Sequence, residues 1–90
     1  MTYKQAFPDF PAADLPVMPD GWQDVSFRQD ACPSFRRAPF TLYVNYADPA
    51  KREFPESPRY CIISDYAPDV TVVESDDWQI VFEAMEAAFD

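Results

Sequence analysis

The fold of this chain is decided by the stretch Phe40-Thr41-Leu42-Tyr43-Val44-Asn45-Tyr46, in which the side chains alternate between two sides. A period of two is typical of a β-strand, and aromatic residues fall on both of its sides. Residues 59–64 and 70–74 are rich in apolar and β-branched side chains, and the turn at 65–69 between them predicts a hairpin. Upstream, the Asp20-Gly21 turn precedes a predicted strand at residues 22–27.

Near residue 76 the apolar period changes from two to 3.6. This period predicts an amphipathic helix that begins at Asp76 or Asp77, ends at Phe89 and is capped by Ser75 or Asp76. Its apolar side comprises Trp78, Val81, Phe82, Met85 and Phe89. A shorter helical turn is expected after Asp48, because a capping residue is followed there by proline.

Residues 1–20 contain prolines too frequent for a continuous helix, so we interpret them as a proline-rich N-terminal arm. Residues 21–90 then form a single domain. The predicted fold class is α+β, with a small, mainly antiparallel sheet of three to four strands and the C-terminal helix packed on one face. The opposite face, with Thr41, Tyr43, Tyr60, Ile62 and Trp22, is either covered by the arm or exposed as an aromatic patch.

Charge is the most unusual property of the chain, whose net charge is -9. Residues 61–90 contain eight acidic side chains and no basic one. Direct binding of nucleic acid or an anionic membrane is disfavoured, because both require a basic surface. Without a predicted membrane span or secretory signal, we expect a cytoplasmic protein.

Catalytic and metal chemistry find little support in the composition. The chain has no histidine, two cysteines and one glycine. A histidine base, a four-ligand zinc site and a glycine-rich phosphate loop are therefore all excluded, and two cysteines predict reduced thiols rather than a disulfide scaffold. Cys32, with arginines nearby in the sequence, is weighed as a nucleophile, but a structural cysteine is the favoured interpretation. We expect no enzyme, no metal and no cofactor.

The acidic residues of the C-terminal third are the first candidate binding site. Asp76 and Asp77 are explained by helix capping alone, and the others by solubility or by contact with a basic partner. Acids in the last helical turn oppose the helix dipole, which capping does not explain. The candidate residues are Glu74, Asp76, Asp77, Glu83, Glu86 and Asp90.

In size, acidity and lack of catalytic residues, the chain resembles small inhibitors encoded by phages and mobile elements, including anti-CRISPR proteins and other DNA mimics. It also resembles the immunity proteins that neutralise basic nucleases. The resemblance is one of type and involves no motif. Together with the acidic C-terminal third, the resemblance favours an inhibitor or regulator of a basic, nucleic-acid-handling protein. We expect a monomer or a homodimer. The first alternative is an interaction or homodimerisation module that uses an aromatic sheet face with Trp22, Tyr43 and Tyr60. The second alternative is a redox protein or a cysteine-dependent enzyme that acts through Cys32.

Overall fold

One antiparallel sheet of five strands forms the centre of the structure, a computed structural model that describes residues 2–89. The strands lie in the order in which they occur in the sequence. They are β1 (Gln23–Asp24), β2 (Ser34–Arg37), β3 (Phe40–Val44), β4 (Tyr60–Ser64) and β5 (Ala67–Ser75). The predicted α+β class and antiparallel sheet are confirmed, whereas the predicted number of three to four strands is wrong.

The additional strand is β2, which pairs with β1 on one side and with β3 on the other. It ends in a two-residue turn that brings Arg37 opposite Phe40. The Arg37 guanidinium lies 3.8 Å from the centre of the Phe89 ring. Its side chain also packs on Gly21, where φ is +92° and a Cβ atom would come within 3.0 Å of Arg37 Nε. Glycine is therefore favoured there by both backbone conformation and space.

The packed face of the sheet, defined here by Phe35, Phe40, Leu42, Val44, Tyr60 and Ile62, forms the sheet side of the core. Leu42 pairs with Ile62 and Val44 pairs with Tyr60, so these side chains lie on the same side. Tyr43 pairs with Cys61 on the opposite side. The prediction that Tyr60 and Ile62 share a face with Tyr43 is therefore wrong. The predicted pairing of residues 59–64 with β3 is displaced by one residue from the observed register, and such a shift exchanges the two faces.

The C-terminal helix, α2 (Trp78–Ala88), covers the packed face as predicted. The Trp78 ring lies 5.1 Å from Tyr60, and the Phe89 ring lies 5.7 Å from Phe40. The helix begins after Asp77, whose carboxylate accepts the Gln79 N–H at 2.9 Å. The cap predicted at Ser75 or Asp76 is wrong.

The N-terminal segment packs beside α2 on the same side of the sheet. It contains a short helix, α1 (Tyr3–Ala6), and a 3₁₀ turn at Ala12–Asp14. Phe7 and Phe10 are buried in the core, and the Phe10 ring lies 4.8 Å from that of Tyr46. Of the two alternatives for the face opposite the helix, coverage by this segment is therefore wrong. The helical turn predicted after Asp48 is present as a 3₁₀ turn at Pro49–Lys51.

Candidate functional site

The open face of the sheet, defined here by Thr41, Tyr43, Asn45, Cys61, Ile63 and Glu74, lies opposite the packed face. Helix α2 packs on the other face, and within residues 2–89 no helix covers this one. A cavity of about 330 Å³ opens here. Strands β3, β4 and β5 supply Tyr43, Cys61 and Glu74, and Asn45 follows directly after β3. Two loops supply Ala31, Cys32, Glu53, Phe54, Ser57 and Pro58. The open face therefore provides a concave site between loops that are distant in the sequence.

The candidate acids do not form a single surface. Glu74 pairs with Cys61 on the open face, whereas α2 carries Glu83 and Glu86 across the other side of the sheet. Glu83 accepts a hydrogen bond from the Gln79 amide at 3.3 Å. Glu86 borders a smaller cavity of about 110 Å³, together with Trp22 and other residues. The structure thus divides these acids between the sheet and the helix.

Two of the candidate acids have clear structural roles. Asp77 caps α2, and Asp76 accepts the backbone N–H of Arg59 at 2.8 Å. Asp76 therefore connects the start of β4 to the end of β5, rather than capping the helix. Both side chains are exposed, so their charge also contributes to the surface. Asp90, the sixth candidate, lies outside the described residues.

The arginines leave most of this negative charge without a paired cation. Within residues 2–89 the one ion pair joins Arg36 to Asp65, which raises the pKa of the guanidinium and lowers that of the carboxyl through their hydrogen bond. Arg52 donates to the backbone carbonyls of Tyr46, Ala47 and Ser57. Arg59 donates to the carbonyl of Asp14 and lies over the Tyr60 ring. Glu74, Glu83 and Glu86 accordingly have no ion-pair partner among the described residues.

Both cysteines border the cavity, and both are free thiols. Burial is the main cause that raises the pKa of Cys32 to about 12, and the charge of Asp30 adds to it. Burial also raises the pKa of Cys61, with a further contribution from Glu74. Because a thiolate is the nucleophilic form, these environments disfavour reactive cysteines at neutral pH.

The three aromatic candidates do not lie together. Trp22 and Tyr60 are buried in the core, whereas Tyr43 is half-buried on the open face. The alternative surface built from all three is therefore wrong as a shared exposed patch. Phe54, which is 55% exposed, borders the cavity with Tyr43 and was not predicted. In the sequence, Phe54 is an isolated aromatic residue in a loop, with charged residues and a proline beside it, and this pattern alone does not indicate a site.

Comparison of the chain with protein-family models, curated proteins and solved structures finds no match. Among residues 2–89, no three His, Cys, Asp or Glu side chains come together in a way that would hold a metal ion. No helix in the same range has the length and apolar character needed to cross a membrane.

Proposed function

We propose that this protein is a small acidic binding protein that inhibits or regulates a basic, nucleic-acid-handling protein without catalysing a reaction. The observation that carries the proposal is the negative charge of the C-terminal third, most of which has no paired cation among the described residues. Within the described residues, Arg36 alone forms an ion pair, and it does so with Asp65 in the turn before β5. Glu74, Glu83 and Glu86 remain exposed to a partner.

Rigid placement of these acids supports the proposal. Glu83 and Glu86 lie on α2, which Val81 and Met85 anchor in the core. Carboxylates held on a rigid element lose little freedom on binding, and they attract a basic surface over a distance. Such an array can occupy a groove that otherwise binds phosphates. Glu86 also lies in the last turn of a helix that has no basic residue there, so its position weakens the helix rather than stabilising it.

The cysteine-based alternative has less support. A nucleophilic thiol requires a lowered pKa, whereas burial raises the pKa of Cys32 to about 12. The chain has no histidine to serve as its base. Binding is therefore the function that the geometry supports best.

The test is capture of partners by the tagged protein from a lysate of its source organism, after nuclease treatment, at about 0.1 and 0.5 M salt. We expect a basic nucleic-acid-binding protein to be retained at the lower concentration and lost at the higher one. The double variant Glu83→Gln/Glu86→Gln should weaken its capture about threefold or more, because fewer charges attract it.

The matched control is Asp48→Asn/Glu56→Gln, which removes two exposed charges outside the C-terminal third. Asparagine also preserves the cap at position 48. Equal losses in both double variants would show that only net charge matters and would contradict a localised acidic site. A partner retained equally at both salt concentrations would contradict the proposal as a whole.

A further inference from the structure

The cavity of the open face has an aromatic and acidic lining that the acidic surface of α2 does not share. Tyr43 projects from β3, and Phe54 belongs to the loop between β3 and β4. Glu53 lies beside Phe54 in that loop. Glu74 lies on β5, where it pairs with Cys61 of β4, on the same face of the sheet as Tyr43. Carboxylates from two separate elements thus border a cavity that also contains two aromatic rings.

Among residues 2–89, no basic side chain lines this cavity. Glu53 and Glu74 are both exposed and form no ion pair within the described residues. Arg36 projects on the same side of the sheet, but Asp65 neutralises it at the other end of the face. The cavity is therefore a region of negative charge without a cation of its own.

Carboxylates near the cavity add to the effect of burial, which is the main cause that raises the pKa of its thiols and of its phenol. Burial, followed by the charge of Asp30, raises the pKa of Tyr43. Glu53 is among the charges that raise the pKa of Cys32, after burial, and Glu74 acts likewise on Cys61. Neighbouring carboxylates disfavour further negative charge and favour a cation by the same Coulomb interaction.

The size of the cavity limits what it can hold. Its volume of about 330 Å³ lies at the lower end of ligand pockets, which commonly measure about 300–1,000 Å³. One long side chain fits such a space better than a large cofactor does. A planar guanidinium stacks on aromatic rings and donates several hydrogen bonds to carboxylates in fixed directions, whereas an ammonium group is more strongly hydrated.

We infer that this cavity receives one arginine side chain of the basic partner, which stacks against Tyr43 and Phe54 and donates to Glu53 and Glu74. The inference rests on the proposed function, because it assigns that function's partner a contact on the open face. It places recognition at the sheet as well as at α2. A partner engaged at both sites would be held from two sides of the molecule.

The test uses N-acetyl-L-arginine amide as the probe and N-acetyl-L-citrulline amide as its neutral counterpart, with binding followed by two-dimensional NMR of the ¹⁵N-labelled protein. We expect saturable shifts at the residues that line the cavity, with a dissociation constant on the order of 1 mM for a single side chain. The citrulline compound, which keeps the shape but not the charge, should produce no saturable shift there.

Variants assign the contacts. Glu53→Gln/Glu74→Gln should weaken arginine binding about threefold or more, and Phe54→Leu about two- to fivefold, because exposed ion pairs and cation–π contacts are modest. All three positions are exposed, so the fold should be preserved, as unchanged amide spectra outside the cavity would verify. Glu83→Gln/Glu86→Gln, the matched control on α2, should leave binding of the probe unchanged.

Absence of a saturable shift, equal binding of the citrulline compound, or equal affinity in the cavity variants would each overturn the inference. These results are separate from partner capture. A basic partner that is captured by a protein with no arginine site overturns the inference alone. Arginine binding in the cavity without any captured basic partner supports the cavity site and contradicts the proposed function.

Discussion

The packed face and the open face are built from alternating residues of the same strands, yet they differ in burial and in charge. Leu42 and Val44 on the packed face are 0% exposed. Tyr43, which lies between them in β3, is half-buried beside an open cavity. Because successive strand residues point to opposite sides, one short strand contributes to both the core and the candidate site. We therefore expect that substitutions in β3 can alter stability without altering the candidate site, and the reverse.

The two faces also treat charge differently. Arg37 reaches the packed side, where its guanidinium lies over the Phe89 ring and completes the apolar layer. The open side has Arg36 paired with Asp65 at one end and the unpaired Glu74 at the other. On these two faces, Arg36 and Arg37 have partners within the fold, whereas Glu74 has no ion-pair partner among the described residues. This asymmetry is the basis of both proposals.

The largest difference between the faces should be seen when adjacent residues of β3 are replaced. Leu42→Ala should reduce the free energy of unfolding by about 2–5 kcal/mol, because it leaves a cavity in the core. Tyr43→Leu, one residue along, should reduce it by less than about 1 kcal/mol, because its ring is half-exposed and leucine retains apolar bulk. Urea denaturation measures both values. Similar losses in the two variants would contradict the division into a packed and an open face.

Much of the fold could be predicted because local patterns specify it. The alternation in β3 and the 3.6-residue period of α2 both survive in the structure. Strand β2 could not be recognised, because Phe35 is the one apolar residue in Ser34–Arg37 and a proline precedes the strand. Its position depends on pairing with β3 and on the contact of Arg37 with Phe89, which are tertiary interactions.

The candidate site was less predictable than the fold. Tyr60 and Ile62 alternate with Cys61 and Ile63, so apolar character does not reveal which pair faces the core. Register alone decides this, and a shift of one residue exchanges the faces. The cavity depends further on loops that include Ala31 and Phe54, whose approach no local pattern indicates. Sequence therefore indicates which side chains are candidates, but not which of them lie together.

Alkaline pH should lower the free energy of unfolding through Tyr46, on the packed side, by less than the largest loss expected for Leu42→Ala. Burial and a hydrogen bond of 2.8 Å to Asp9 raise the pKa of Tyr46 to about 12. The folded state holds this proton more tightly than the unfolded state, in which the pKa is about 10. Stability should therefore fall as pH rises from about 10 to 12, by up to about 2–3 kcal/mol from this group. Cys32 acts in the same direction.

The variant Tyr46→Phe isolates this contribution. At pH 7 it should cost about 1.5–3 kcal/mol, the usual value for the loss of a hydrogen bond to a charged group. Between pH 10 and 12 its stability should fall less steeply than that of the wild type, as measured by urea denaturation across the pH series. Equal slopes would show that the Tyr46 proton is held no more tightly in the folded state.

The smallest effect on stability is expected at Cys61, on the open face. Cys61→Ser should change the free energy of unfolding by less than about 0.5 kcal/mol, because the thiol is only half-buried and its nearest polar contact is Thr71 Oγ1 at 3.9 Å. The alkylation rate with iodoacetamide compares the accessibility of the two thiols. In Cys32→Ser, the remaining Cys61 should react in the native state. In Cys61→Ser, the buried Cys32 should react at least on the order of tenfold more slowly, because its reaction requires local opening of the structure. Equal rates would mean that the loop containing Cys32 leaves that thiol as accessible as the open face itself.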